Sequence, residues 1–60
     1  MNIKEVLKKE NIGKLYKFDG HTYFIKERLG NPILVRVNGY TIEHYYDLVV
    51  IINAEFEEVE

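Results

Sequence analysis

The chain has 60 residues, 47% of them apolar, with no cysteine, one proline and a formal net charge of −2. A single domain is the most this length supports, and it buries only about 60% of the surface its unfolded chain exposes. Disulfides and cysteine-based zinc sites are excluded as remedies, and a pI near 5.6 gives no global basic field.

Asn2 followed by Glu5 is a helix-start signal: the Asn side chain caps free N–H groups and the Glu reaches back. Ile3, Val6 and Leu7 then form one apolar stripe, with Lys4, Glu5, Lys8 and Lys9 facing away. Gly13 closes the helix, which should end near Glu10 to Ile12. Two turns are unstable alone, so the stripe must dock.

Asp19-Gly20 and Asn38-Gly39 are both two-residue hairpin signals of the kind that needs positive φ at both central positions. In the first hairpin this sets Phe18 against His21, Lys17 against Thr22, Tyr16 against Tyr23 and Leu15 against Phe24. One face then holds Tyr16, Phe18, His21, Tyr23 and Ile25, and the other Leu15, Lys17, Thr22, Phe24 and Lys26. In the second, Val37 faces Tyr40, Arg36 faces Thr41, Val35 faces Ile42 and Leu34 faces Glu43. Its apolar face is Ile33, Val35, Val37, Tyr40 and Ile42, and its other face is Leu34, Arg36, Thr41 and Glu43.

Gly30-Asn31-Pro32 reads as the loop between the hairpins, because Pro blocks a central ladder position. Residues 47–52 read as a helical turn, although Val49-Val50-Ile51-Ile52 is also the best β-branched run in the chain. An edge strand studded with Glu follows at 54–59. The expected fold is one α+β domain over 1–60: a short N-terminal helix packed on an antiparallel β-meander of four to five strands.

The chemistry of catalysis is poorly represented. His21 and His44 lie 23 residues apart, short of the three or four converging ligands a metal needs. They read more simply as a turn-flanking residue and a polar strand end. Serine and cysteine are absent, the four glycines are scattered, and paired carboxylates occur only in the exposed terminal Glu run. No enzyme, metal or cofactor is expected. Nor does any apolar run approach the roughly 18 residues of a membrane span, and no signal-peptide core is present, so a soluble cytoplasmic protein is expected.

Binding is better supported. Residues 1–30 carry seven bases against four acids, whereas residues 31–60 carry Arg36 alone against six acids. Opposite ends that simply attract explain this; so does an acidic patch engaging a basic partner surface. Lys17, Phe24, Lys26 and Arg36 interleave charge and aromatic surface as single-strand-binding sheets do, though Leu15 and Phe24 on that face are equally explained by the N-terminal helix packed over them. Five tyrosines occur and no tryptophan. Strand propensity explains Tyr16, Tyr23 and Tyr40. Tyr45-Tyr46 point to opposite sides of an extended segment, so Tyr40, Tyr45, Tyr46, Leu29 and Leu34 are candidates for an exposed interface. Apolar residues on both sheet faces exceed what one two-turn helix covers, which predicts a homodimer through the sheet.

The capped opening Met1-Asn2-Ile3-Lys4-Glu5-Val6-Leu7 and the close Ala54-Glu55-Phe56-Glu57-Glu58-Val59-Glu60 resemble small phage- and prophage-encoded proteins of low-GC Gram-positive bacteria. That resemblance covers less than half of the chain and carries no functional residue. It implies a protein that binds and blocks a host component, such as an anti-phage defence system; in size it is similar to short anti-defence proteins directed at the Hachiman system. The other expectation is a nucleic-acid-binding accessory protein.

Overall fold

The computed structural model describes residues 1–59. Asn2 and Glu5 form the reciprocal cap: the Glu5 N–H donates to the Asn2 side chain and the Asn2 N–H to the Glu5 carboxylate, both at 2.9 Å. Helix α1 nevertheless spans only Ile3–Val6. It stops short of Glu10 because the buried Asn11 amide donates to the carbonyls of Glu5 and Val6, each at 3.0 Å. Those bonds satisfy carbonyls a longer helix would have used itself. The chain then makes a 3-10 turn at Lys9–Asn11.

Four strands follow: β1 (Leu15–Phe18), β2 (His21–Arg28), β3 (Asn31–Val35) and β4 (Glu57–Val59), in the order β3-β2-β1-β4 with every neighbouring pair antiparallel. The β1–β2 register is the one the Asp19-Gly20 turn dictates, from Phe18 opposite His21 to Leu15 opposite Phe24. Asp19 and Gly20 both have positive φ, 53° and 76°. Before β1, Gly13 and Lys14 together oppose Ile25 as a glycine bulge: the Gly13 N–H donates to Ile25, whose own N–H donates to Lys14.

The second hairpin is corrected by the structure. The turn that pairs β3 is Leu29-Gly30, with φ 52° and 81°, and Asn31-Pro32 belongs to the strand instead of to a loop. Pro32 is tolerated because β3 is an edge strand, where a missing N–H faces outward. At Asn38-Gly39 only the glycine takes positive φ. The loop gains a residue, so the Arg36 N–H donates to Tyr40 at 2.9 Å and Val35 bridges Thr41. A one-residue slip exchanges faces. Leu34, opposite Ile25 in the β2–β3 register, faces the core, Val37 is left 94% exposed, and the expected second strand becomes a 3-10 turn at Ile42–His44 that buries Ile42.

Helix α2 (Leu48–Asn53) and β4 complete the chain, close to the helical turn and edge strand expected there. The core lies on one side of the sheet. Tyr16, Tyr23, Ile25 and Leu34 meet Val6, Ile42, Ile51, Ala54 and Phe56 in a single core, with Ile3, Leu7, Phe18 and Tyr46 against it. The result is one layer of short helices on one sheet face; the other face is open. Among the described residues, no helix is long and apolar enough to cross a membrane.

Candidate functional site

Strand alternation sets the open face. It carries Leu15 and Lys17 from β1, Thr22, Phe24, Lys26 and Arg28 from β2, Asn31, Ile33 and Val35 from β3, and Glu57 and Val59 from β4. Cross-strand pairing runs Val59, Leu15, Phe24 and Val35 into one apolar row spanning all four strands. Lys17, Lys26 and Arg28 flank this row, opposed on the same face by the carboxylate of Glu57. An acidic chain therefore turns a positive face to solvent. Within the row Leu15 is 39% exposed and Phe24 and Val59 are half-buried, whereas Val35 is buried. Because α1 docks on the opposite side, the helix-cover explanation of Leu15 and Phe24 is removed. At one end of the row, Leu15, His21, Thr22, Phe24, Arg36 and Val37 surround a groove of about 330 Å³.

Of the four residues expected on this face, Lys17, Phe24 and Lys26 are brought together, with the Lys26 ammonium 5.5 Å from the Phe24 ring centre. Arg36 is otherwise engaged. Its guanidinium donates twice to the Tyr23 hydroxyl, at 2.9 and 2.8 Å, and stacks 3.5 Å from the Tyr45 ring centre. Tyr46 packs edge-on against Phe18 and donates to Asp19 at 2.8 Å. Burial above all, then the Asp19 bond, pushes its hydroxyl up to about 12. Arg36 thus joins β2 to the Tyr45-Tyr46 segment.

No family model, curated protein or solved structure matches the chain. The remaining candidates are therefore judged on position alone. Leu29, at the tip of the β2–β3 hairpin, is 94% exposed, and Tyr40 is 52% exposed with its ring stacked on His44. Tyr45 and Tyr46 are half-buried by the Arg36 cluster. Leu34 is 1% exposed and is corrected from interface candidate to core residue. Among the described residues, no three His, Cys, Asp or Glu side chains come together as a metal site would require.

Sequence reading missed the other apolar surface. In α2 only Ile51 reaches the core, while Leu48, Val49, Val50 and Ile52 are 66%, 70%, 42% and 55% exposed. Beside them Ile3, Leu7, Ile33, Leu48 and Ile52 help line a second, largely apolar groove of about 260 Å³. The signal was present in the sequence: five consecutive apolar residues in a helix cannot all face one core.

Proposed function

We propose that this is a non-catalytic binding protein that works as a homodimer and blocks a host protein, as a phage or prophage accessory protein does against a component of anti-phage defence. The observation that carries the reading is the open sheet face, where an apolar row across four strands is flanked by Lys17, Lys26 and Arg28. An apolar centre with a charged rim is the anatomy of a protein-recognition surface. The cations select a partner with an acidic contact surface. Leu29, exposed at the hairpin tip in a backbone conformation unfavourable for leucine, extends that surface.

Affinity capture from a bacterial host, followed by binding with the purified partner, tests this reading. The wild-type chain should hold one host protein, and Lys17→Glu with Lys26→Glu should release it without unfolding the domain. Unchanged binding by that variant would remove the sheet face from the account.

Single-stranded nucleic acid is the second reading, favoured by Lys17, Phe24 and Lys26 sharing one face. It is weakened by the Lys26 ammonium already lying over the Phe24 ring, which competes with a stacking base. A salt-dependent mobility shift abolished by Lys17→Ala with Lys26→Ala would establish it, and no shift at low salt would dismiss it.

A further inference from the structure

We propose that the α2 surface is the homodimer interface: two copies lay their α2 helices together about a two-fold axis, each covering the other's apolar groove. The inference rests on the homodimer in the reading above and assigns its surface.

Charge separates the two exposed apolar faces. A second copy on the open sheet would set against each other two faces that each carry Lys17, Lys26 and Arg28 with the single acid Glu57, leaving an excess of like charge across the contact. From Leu48 to Asn53, α2 carries no charge, and Glu43 is the one charged residue lining the groove beside it. Self-complementarity is what an isologous contact requires, and a largely apolar face with its one acid in the groove comes nearer to it than the basic sheet face.

Local stability points the same way. Helix α2 is six residues long, four of them β-branched, and a single side chain, Ile51, fastens it to the core. Neither length nor composition favours helix, so the segment is weakly held on its own. Released, Leu48–Ile52 has the uncharged, β-prone character of an aggregating strand. Its cover must be present whenever the chain is present, and a second copy always is.

Area sets the extent. The molecule measures 24 × 22 × 20 Å and exposes 4253 Å² in all. One whole face is then roughly 600 Å², and two make about 1,200 Å², the lower limit for a stable interface. The contact must accordingly take in Ile3, Leu7 and the groove as well as α2.

Sedimentation velocity over a concentration series tests the assignment, and the absence of native cysteine allows an independent cross-linking arm. Wild-type protein should show twice the 7.1 kDa monomer mass at high concentration. Leu48→Glu with Val49→Glu, both at exposed positions, should keep the far-ultraviolet spectrum and weaken association about a hundredfold. Oxidised Val49→Cys should form a disulfide-linked pair faster than Val37→Cys, although Val37 is the more exposed. A wild-type monomer throughout, a dimer insensitive to the glutamates, or equal cross-linking at Val37 would each overturn the proposal. A wild-type monomer would also remove the homodimer from the reading above, whereas a dimer insensitive to the glutamates would remove only this assignment, and capture of a partner through the sheet face would survive either.

Discussion

Tyr16 and Tyr23 face each other across β1 and β2, both 0% exposed, yet only Tyr23 has its hydroxyl satisfied. Arg36 donates to Tyr23 twice, whereas the Tyr16 hydroxyl has no hydrogen-bond partner among the described residues. Burial, and secondarily Glu58, raises the Tyr16 hydroxyl above the ordinary tyrosine value.

The same deletion should therefore have opposite effects at the two positions. Tyr16→Phe removes an unpaired buried hydroxyl and should stabilise the domain by about 1 kcal/mol. Tyr23→Phe strips two charge-assisted bonds from Arg36 and should cost about 2 kcal/mol. Urea unfolding midpoints measure both; a loss at Tyr16 as large as that at Tyr23 would show that its hydroxyl is bonded after all.

How legible the fold was depended on whether one residue type fixed a turn. Asp19 adopts positive φ readily, so Asp19-Gly20 revealed β1–β2 and its register. Asn38 tolerates the same conformation but does not use it, and the loop's extra residue moved every later side chain to the other face. Leu29-Gly30 was hidden because leucine is a poor occupant of positive φ, and Pro32 disguised a strand whose edge position becomes visible only when the sheet is assembled. Of the candidate surface, Lys17, Phe24 and Lys26 followed from the first register. The role of Arg36 did not, because it falls beside Tyr23 only in the β2–β3 register set by the hidden Leu29-Gly30 turn. That α2 has an exposed apolar side was legible in its five consecutive apolar residues; what covers it was not, since periodicity does not say how many neighbours a helix has.

Leu29 offers a direct test of the hidden turn. Asparagine takes positive φ at lower cost, so Leu29→Asn should raise stability by about 1 kcal/mol while removing an almost fully exposed leucine. Thermal unfolding reads the change. A destabilised variant would mean the Leu29 side chain packs against the sheet.

Asn11 makes a comparable prediction at the end of α1. Its side chain is the link between the helix carbonyls and the turn that follows, and it is 5% exposed. Asn11→Ala should cost about 2 kcal/mol. Asn11→Asp should cost more, because a carboxylate there faces carbonyl oxygens instead of donating to them. Chemical unfolding ranks the pair, and an Asp variant as stable as wild type would contradict the assignment.

Alkaline stability should report Tyr46. Its folded-state value of about 12 lies above the ordinary 10, so the folded protein holds that proton more tightly. The stability this supplies is complete below about pH 10 and is lost as pH rises through 12. Between pH 10 and pH 12 the wild-type urea midpoint should fall further than that of Tyr46→Phe. Equal falls would mean Tyr46 ionises as freely in the fold as out of it.

The central claim is that the two apolar faces have different occupants, a second copy on α2 and a partner on the open sheet. Backbone amide NMR spectra recorded on dilution from millimolar to micromolar chain test it most directly. The account predicts shift changes confined to Leu48–Asn53 and the neighbouring Ile3 and Leu7, with Leu15, Lys17, Phe24 and Lys26 unmoved. Changes centred on β1 and β2 instead, or none at any concentration, would contradict it.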